Sequence, residues 1–440
     1  MTWFLIAFLY PDTMHSILLI LLRFFARAII YKHKPYVIGI TGTVGKTTLS
    51  HNTAIYLSSL YGDDMVRVSP YHYNGEYGLP LTIIWARTGG RNIFRWMSVF
   101  FIAITTYIRP YPKYLILEYG IDHPWEMEYL LSVVRPDIAL LSPIAPNHME
   151  QFVDFSRYRD AKYLLVKNTR VASIVHESHR VYLDGENMYF YGTSKDNDIY
   201  IQTALQRIYA LDVSVSFQDC IYTFSIPAFG SYQAENMLPL YALWDILGGN
   251  VALIWEKASH YTPEIGRSRI LRWVGDSYII DGSYNGGFES ICRGIDSLVE
   301  FIPLYRIICL LGDMRELGME SESMHRDLAH YITQKFEKGA TDVSFFLVGP
   351  LMSRYVAPTL SEVFSTKHDI SSRRMGDSIR DLLFADMRPT IIYVKWSQNT
   401  IFLEEWIKSF LSNEVDISML CRQSDEWMTE KERYFASIGA

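Results

Sequence analysis

The sequence predicts an α/β protein, with a central, mostly parallel sheet domain of the phosphate-loop type followed by a Rossmann-like α/β domain. A short apolar strand, Tyr36–Thr41, runs into a glycine-rich turn, and helical periodicity follows at residues 47–61. Apolar strands alternate with helical segments again over residues 114–166 and 278–394. The length of 440 residues is more than one ordinary domain contains.

Composition narrows the class of protein. A net charge of -7 argues against a nucleic-acid partner, because binding to phosphates needs a basic face that displaces counterions. The four cysteines are scattered without ligand-like spacing, which argues against a disulfide framework and against a zinc site. We therefore expect a globular protein of the reducing cytoplasm. The cysteines are Cys220, Cys292, Cys309 and Cys421.

The amino-terminal segment, residues 1–35, is mostly apolar. Pro11 interrupts it, and Arg23 and Arg27 fall on one face of any helix through residues 18–30, so the segment is amphipathic. Two interpretations stay open, a helix that lies on the membrane surface and a helix packed on the protein or a partner. A second apolar run, residues 96–108, is too short to cross a bilayer and is interpreted as a buried helix.

The elements after the first strand favour a parallel sheet. Tyr114–Glu118 and residues 137–142 read as strands with a helix at 126–134 between them, and crossover connections of this kind join parallel strands. A further helix is predicted at 156–166. Short alternating strands then predict antiparallel hairpins appended to the sheet. Their bounds are 181–183, 188–191, 199–201, 213–217 and 222–226.

Proline and glycine punctuate residues 263–267, which we interpret as a hinge. The second α/β domain follows it, with strands and helices in alternation. This gives three predicted segments, an apolar segment at 1–35, a central domain at 36–262 and a carboxy-terminal domain at 263–440. The predicted strands of the last domain are 278–281, 307–312, 344–348 and 390–394, and its helices include 289–301 and 325–335.

The turn after the first strand has the residues of a phosphate-binding loop. Its glycines let backbone N–H groups approach phosphate oxygens at the positive end of a helix. Lys46 can neutralise phosphate charge, and Thr47 can ligate magnesium. The alternative is a glycine-rich turn that serves only as a tight connection. The predicted nucleotide-binding residues here are Gly42, Thr43, Gly45, Lys46, Thr47 and Thr48.

The segment Thr41-Gly42-Thr43-Val44-Gly45-Lys46-Thr47-Thr48 resembles the Thr-Gly-Thr-x-Gly-Lys-Thr-Thr loop of the Mur ligases, and later landmarks of that family follow in order. Glu118 resembles the strand-end glutamate that binds magnesium. His148 resembles the histidine that helps to hold a second magnesium, and Lys162 resembles the lysine that carbon dioxide carbamylates. Taken singly, these residues have structural alternatives as a helix cap, a loop histidine and a solvated helix charge.

The nucleotide contacts of the family also have counterparts. Asn236 matches the last residue of the segment Gly-x-His-Asn-x-x-Asn, although Tyr232 and Gln233 replace its histidine and first asparagine. Arg267 matches the arginine of the hinge that reaches the ATP phosphates, with a structural ion pair as its alternative. The resemblance assigns the ribose and base to the motif Asp281-Gly282-Ser283-Tyr284-Asn285, through Asp281, Tyr284 and Asn285.

Two motifs resemble the branch of the family that adds D-alanyl-D-alanine. Residues 312–318 read Gly-Asp-Met-Arg-Glu-Leu-Gly and are followed by His325, close to the Gly-Asp-Met-x-Glu-Leu-Gly and histidine signature of that branch. Lys395-Trp396-Ser397 is similar to its Lys-Gly-Ser, with Trp396 in place of glycine. Gly282 replaces an aspartate of the branch.

The resemblance implies a ligase that uses ATP and two Mg²⁺ ions to join a carboxylate and an amine through an acyl phosphate. It implies a carbamylated Lys162, a nucleotide-sugar peptide and a dipeptide as substrates, and a monomer. The catalytic residues would be Lys46, His148, Lys162 and Arg267, with Thr47, Glu118, His148 and Lys162 around the metal ions.

Two other functions stay open. One is a ligase for another substrate, like the poly-γ-glutamate synthases, and the other is a non-catalytic nucleotide-binding subunit. Mur ligases carry a further amino-terminal domain that binds the uridine nucleotide, whereas about 35 mostly apolar residues precede the loop here. The resemblance therefore covers residues 36–410 and leaves residues 1–35 outside it.

Overall fold

The computed structural model describes residues 11–69, 73–90, 92–146, 150–152, 154–273, 276–284, 286–315, 317–336, 342–385, 388–396, 401–408, 411 and 417–439. The chain forms two compact units. The first comprises residues 1–202, 215–222 and 235–257, and the second comprises residues 203–214, 223–234 and 258–440. No helix of the described residues is long and apolar enough to cross a membrane.

The amino-terminal half contains helices and strands in alternation. The helices are α1 Pro11–His33, α2 Lys46–Tyr61, α3 Gly78–Ile84, α4 Ile93–Ile108, α5 Glu126–Val133, α6 Phe155–Lys167, α7 Tyr232–Glu235, α8 Pro239–Leu247 and α9 Ala252–Ser259. The strands are β1 Tyr36–Thr41, β2 Val66–Arg67, β3 Tyr114–Glu118, β4 Ile138–Leu141, β5 Ala172–His176, β6 Met188–Gly192, β7 Ile199–Gln206, β8 Leu211–Phe217 and β9 Cys220–Ile226.

The carboxy-terminal half repeats this alternation. Its strands are β10 Arg269–Arg272, β11 Tyr278–Gly282, β12 Arg306–Gly312, β13 Val343–Val348, β14 Ser365–Asp369 and β15 Thr390–Lys395. Its helices are α10 Phe288–Leu298, α11 Ser321–Lys335, α12 Ala357–Ser361, α13 Ser372–Ala385, α14 Leu403–Lys408 and α15 Asp425–Ser437, and a π-helical turn spans Met352–Val356. Short 3₁₀ turns lie at Asp63–Met65, Glu177–His179, Val299–Phe301 and Gly318–Glu320.

The first sheet has the order β2-β3-β1-β4-β5-β6-β7-β8-β9. Strand β1 lies between β3 and β4 and pairs in parallel with both, so that Ile40 is opposite Glu118 and Thr41 is opposite Leu141. Strands β3 and β4 are buried along their whole length, as expected for strands covered on both faces. The carboxyl ends of three neighbouring strands therefore meet at one edge, which is where α/β sheets bind ligands.

The strands after β4 correct part of the hairpin prediction. Strand β6 pairs in parallel with β5, and β7 pairs in parallel with β6, so antiparallel pairing is wrong for these strands. Residues 181–183 form no strand. The hairpin prediction holds for β8 and β9, because Gln218 and Asp219 both have positive φ, as in the two-residue turns that join antiparallel strands.

The second sheet has the order β10-β11-β15-β12-β13-β14. Its strands pair in parallel except for β10, which is antiparallel to β11 at the edge. The four predicted strands and both predicted helices are present, and the prediction of a second, Rossmann-like α/β domain is confirmed. Strands β10 and β14 were not predicted. Strand β10 has only two apolar residues, placed between two arginines, and β14 consists of polar residues that are mostly exposed, so neither has a buried strand's apolar pattern.

Helix α1 packs on the first unit through one face, which carries the buried side chains of Leu22, Ala26 and Ile29. The prediction that residues 96–108 form a buried helix is wrong for one face of α4. Trp96, Val99 and Ala103 face the core, whereas its opposite face is exposed. A continuous apolar run does not reveal which of its faces lacks a partner, so periodicity alone could not show this.

A buried ion cluster connects α14 and α15 in the second unit. Lys431 Nζ lies 3.1 Å from Glu404 Oε1 and 2.8 Å from Glu405 Oε1, and both Lys431 and Glu404 are fully buried. Arg422 adds a guanidinium 3.5 Å from Glu404 Oε2. Because a buried charge without a partner is costly, each member depends on the others.

We expect Lys431→Met to lower the free energy of unfolding by about 3 kcal/mol, because it leaves two buried carboxylates short of a cation. The matched control is Lys335→Met, which removes a cation from an exposed pair with Asp296 at 2.6 Å and should cost below about 1 kcal/mol. Denaturant titration of both variants measures the difference. Equal losses would contradict a stabilising role for the buried cluster.

Candidate functional site

The turn between β1 and α2 needs glycine at two positions. Gly42 has φ 136° and Gly45 has φ 84°, both in the left-handed region. A Cβ atom at Gly42 would lie 2.0 Å from Ser142 Oγ, and one at Gly45 would lie 2.5 Å from Asn236 Oδ1. The backbone therefore passes closely beneath Ser142 and Asn236, and no other residue fits at either glycine.

Helix α2 begins at Lys46 directly after this turn. The residue before the helix, Gly45, has no side chain to cap it, and the positive end of the helix dipole lies at the turn. Lys46 Nζ donates to the carbonyl oxygen of Gly42 at 2.9 Å, and this bond holds the ammonium group against the loop. The arrangement has the features of an anion-binding site at a helix start.

The loop is also fixed to the end of β4. The N–H groups of Thr43 and Val44 donate to the carbonyl oxygen of Pro143 at 2.9 and 3.2 Å, and Thr43 Oγ1 donates to Ala145 O at 3.1 Å. These hydrogen bonds fix the middle of the turn, and they do not involve the N–H groups at the start of α2.

Two oxygen-bearing side chains meet beside the loop. Thr47 Oγ1 donates to Glu118 Oε2 at 3.4 Å, and Glu118 is buried at the end of β3. A hydroxyl and a carboxylate are ligand types that magnesium prefers. Within the described residues no group of three or more His, Cys, Asp or Glu side chains is arranged to hold a metal ion. His148, the predicted ligand of a second magnesium, lies outside the described residues.

Lys162 is buried near the same turn. Its ammonium group lies 4.6 Å from the centre of the Tyr158 ring, and Tyr158 OH is 3.2 Å from Thr43 Oγ1. Burial, reinforced by the nearby charge of Lys46, holds the pKa of Lys162 well below its usual range. Asp122 and Glu126 oppose this shift only in part. A solvated helix charge, the structural alternative, is thus wrong for Lys162.

Sequence reasoning missed three residues around this edge. Ser142 follows β4 directly, and Tyr158 lies one helical turn before Lys162, so strand-end position and i,i+4 spacing could have indicated both. His179 carries no such signal. Its Nε2 lies 3.2 Å from the carbonyl oxygen of Ser142 and its Nδ1 lies 3.0 Å from Tyr163 OH, so it ties α6 to the end of β4.

Asn236 lies at the loop as well. Its side chain is the nearest group to Gly45, and Asn52 of α2 donates to its carbonyl oxygen at 3.4 Å. The structure therefore brings Asn236, Lys46, Thr47, Glu118 and Lys162 together in the first unit.

In the second unit, Arg267 lies beside the turn after β11. Its Nε is 2.7 Å from Glu264 Oε2, and its guanidinium lies 4.7 Å from the centre of the Tyr284 ring. Gly266 has φ 73°, and a Cβ there would lie 2.8 Å from the backbone nitrogen of Tyr284. The ion pair that was the structural alternative for Arg267 is present, and it leaves the guanidinium partly exposed.

Asp281 is fully buried at the end of β11. Its Oδ1 accepts the N–H of Ser283 at 3.0 Å, whereas its Oδ2 accepts no hydrogen bond from the described residues. Burial raises the pKa of Asp281 above its usual value. Burial, together with Arg267, lowers the pKa of Lys395 to about 8, and Asp281 opposes that shift.

Glycine at position 282 has a physical reason, because a Cβ there would lie 2.7 Å from both Lys395 Cδ and Val394 O. Arg422 then fixes the following turn, donating to Ser283 O at 3.1 Å and to Tyr284 O at 2.6 Å. Asn285 and Ser397, which belong to the predicted motifs, lie outside the described residues.

The motif at residues 312–318 supports the loops around it. Asp313 Oδ1 accepts the N–H of Met352 at 2.8 Å. His325 Nε2 accepts the N–H of Met314 at 3.1 Å while its Nδ1 donates to Ser321 O at 2.6 Å, which requires a neutral ring. Burial lowers the pKa of His325, in agreement with that role.

His179 gives a pH-dependent prediction. Burial lowers its pKa from 6.5 to about 4, so its stabilising contribution is complete above 6.5 and is lost as the pH falls from there towards 4. We expect protonation of His179 to lower the free energy of unfolding by about 2 kcal/mol as the pH falls from about 8 to about 5. His179→Gln cannot titrate and should give a shallower decline in denaturant unfolding. Parallel profiles for the two proteins would contradict the buried, neutral histidine.

Comparisons with known proteins agree with this geometry. Residues 100–243 match the family model of the Mur ligase middle domain. The UDP-N-acetylmuramoyl-tripeptide--D-alanyl-D-alanine ligase of Haemophilus influenzae is 26% identical over 311 residues, which are 68% of this chain and 62% of that protein. The ligase of the same name from Rickettsia prowazekii is 24% identical over 363 residues, 79% of this chain and 73% of that protein. The chain thus spans about two thirds of the length of these relatives.

Solved structures show the same fold. A crystal structure of MurF from Acinetobacter baumannii has a TM-score of 0.73 at 16% identity, covering 89% of this chain and 80% of that one. The structure of MurF ligase from Thermotoga maritima in complex with ADP has a TM-score of 0.70 at 20% identity, covering 89% and 83%. In sequence and in fold the chain is therefore similar to the Mur ligases, and among them to D-alanyl-D-alanine ligases.

Proposed function

We propose that this protein is an ATP-dependent ligase that forms an amide bond by way of an acyl phosphate. The observation that carries the proposal is the convergence at one sheet edge of an uncapped helix start, the charge of Lys46, the Thr47 and Glu118 oxygens and a buried Lys162 of lowered pKa. A glycine-rich turn that served only as a connection would have no use for the buried lysine or for the buried carboxylate.

We propose D-alanyl-D-alanine as the amine and a nucleotide-sugar peptide of peptidoglycan synthesis as the carboxylate. The names of the relatives support this choice, and so does the motif at residues 312–318. The enzyme would act in the cytoplasm as a monomer, with a central domain at 36–262 and a carboxy-terminal domain at 263–440.

The reaction has two steps. A carboxylate oxygen of the first substrate attacks the γ-phosphorus of ATP, ADP leaves, and an acyl phosphate forms. The amine nitrogen then attacks the acyl carbon, the C–O bond to phosphate breaks, phosphate leaves with its electron pair, and the nitrogen loses a proton. The helix start and Lys46 neutralise the charge on the phosphoryl oxygens, and positioning provides most of the rate enhancement.

Thr47 and Glu118 fit a magnesium ion, because their oxygens meet beside the phosphate loop. A bound ion would screen phosphate charge during transfer. The neutral amine of Lys162 is the form that reacts with carbon dioxide, and a carbamate there would add two oxygens on the same side of the sheet. We propose His148 as a further metal ligand.

We also propose nucleotide contacts for Asn236 at the loop and for Arg267, Asp281, Tyr284 and Asn285 in the second unit. Asp281 Oδ2 is a buried acceptor without a hydrogen bond from the part of the chain that the structure describes, and it suits a ribose hydroxyl. Tyr284 offers an aromatic ring and Arg267 a partly exposed guanidinium.

Lys46→Ala should abolish ADP release while the circular dichroism spectrum stays that of the wild type, because the side chain binds phosphate and supports no core packing. The assay uses purified protein with Mg²⁺-ATP, UDP-N-acetylmuramoyl-tripeptide and D-alanyl-D-alanine. Lys257→Ala replaces a partly exposed lysine of the same unit, and as the control it should keep full activity. A fully active Lys46→Ala protein would refute the site.

The same assay separates the alternatives. ADP release with glutamate in place of the dipeptide would indicate a ligase of the poly-γ-glutamate synthase kind. ATP binding without ADP release for any pair of substrates would indicate a non-catalytic nucleotide-binding subunit.

Lys162→Ala should lower ligation at least about a hundredfold and leave ATP binding within about twofold, because the carbamate acts on the metal rather than on the loop. Lys167→Ala is matched on the same helix and exposed, and it should behave as the wild type. Wild-type protein in ¹³C-bicarbonate should give a carbamate resonance that only Lys162→Ala loses. Retention of that resonance in Lys162→Ala would contradict the assignment.

A further inference from the structure

Two helices of the first unit present exposed apolar stripes on their outer faces. Large apolar residues recur on α4 at intervals of three and four residues, which places them on one side of the helix. Their exposed fractions range from 49% at Ile104 to 75% at Phe94. We name these side chains the paired-helix face. They are Ile17, Ile20, Phe24 and Tyr31 of α1 and Phe94, Met97, Phe101, Ile104 and Ile108 of α4.

The two stripes belong to one surface, because α1 and α4 lie side by side in the same direction. The Phe25 and Phe100 rings are 5.6 Å apart between centroids. Seven residues further along both helices, Lys32 Nζ donates to the carbonyl oxygen of Tyr107 at 2.6 Å. Phe24 contacts the Phe25 ring edge-on at 5.5 Å and so continues the apolar surface from one helix towards the other.

Charge near this face differs from that of the whole chain. Residues 15–34 and 85–113 contain nine Lys and Arg residues and no Asp or Glu, although the chain has a net charge of -7. Arg23 and Arg27 flank the stripe on α1, and the exposed Arg95 and Arg109 lie at the two ends of α4. An apolar centre with a basic border matches an anionic lipid surface in both chemistry and sign.

A basic cleft of about 890 Å³ adjoins the carboxyl end of α1. Tyr31 belongs to both the cleft wall and the paired-helix face. Arg27, Lys34, Lys113 and Arg135 also line the cleft, and its one acidic residue, Asp137, is paired with Arg170 at 3.4 Å. The cleft therefore places positive charge next to Tyr31 of the paired-helix face.

We propose that the paired-helix face docks the protein on the surface of a membrane that contains anionic lipids. Tyr31 of this face and Tyr107 of α4 are exposed, and both have the amphipathic character of residues at a membrane–water interface. An interface between two protein copies would bring the basic border of one copy, with Arg23, Arg95 and Arg109, towards the like-charged border of the other, which disfavours a second copy. The inference is independent of the proposed ligase activity.

Vesicle flotation with the full chain tests this proposal. The wild type should float with vesicles of phosphatidylcholine and phosphatidylglycerol, float poorly with phosphatidylcholine alone, and lose binding as salt rises. Phe24→Ser combined with Phe101→Ser should lower vesicle partition at least about tenfold, because both rings would enter the acyl region. Arg95→Gln and Arg109→Gln should each lower it about fivefold on anionic vesicles only.

Matched controls come from the second unit and from a distant loop. Leu304→Ser combined with Met319→Ser removes two apolar side chains that are more exposed than Phe24 and Phe101, and Lys195→Gln removes an exposed charge. All these variants should bind vesicles as the wild type does. Sedimentation velocity without lipid completes the test. Failure of the wild type to float, flotation unchanged by the double serine variant, or a dimer that this variant dissociates would each overturn the proposal.

Discussion

The structure of the site depends on one tight backbone turn, in which β1 ends and α2 begins within the four residues 42–45. Two left-handed glycines let the chain pass beneath Ser142 and Asn236, and any Cβ at either position would collide with them. The turn places an uncapped helix start at the strand edge where Glu118 and Ser142 also emerge. Because of this turn, the charge of Lys46, the oxygens of Thr47 and Glu118 and the buried Lys162 lie at one site.

Local patterns in the sequence were sufficient to predict the glycine-rich turn between β1 and α2, the strands around it and the alternation of the second unit. Each of these depends on residues adjacent in the chain, such as the apolar run of β1 followed by glycine, lysine and threonine. Ser142, Tyr158 and His179 were missed because their roles depend on which strands are neighbours. The pairing of β6 in parallel with β5 was missed for the same reason, since short alternating strands favour hairpins when register is unknown.

The exposure of their outer faces distinguishes the two long apolar helices, α1 and α4, from ordinary core helices. Both α1 and α4 have a buried stripe, as any surface helix does, but their outer faces carry phenylalanine, isoleucine and methionine where polar residues are usual. Hydrophobicity alone could not distinguish such a face from a core-facing one. Residues 15–34 and 85–113 contain no Asp or Glu in a chain that is acidic overall, and this is the sequence signal that points to a surface with its own function.

A crystal structure of the protein with Mg²⁺ and a non-hydrolysable ATP analogue tests the central claim most directly. The β-phosphate should lie within hydrogen-bonding distance of the N–H groups at the start of α2, with Lys46 turned from Gly42 O towards the phosphate and the metal ion between Thr47 and Glu118. An analogue bound with its phosphates away from this turn would contradict the account, as would no binding under conditions in which the fold is intact.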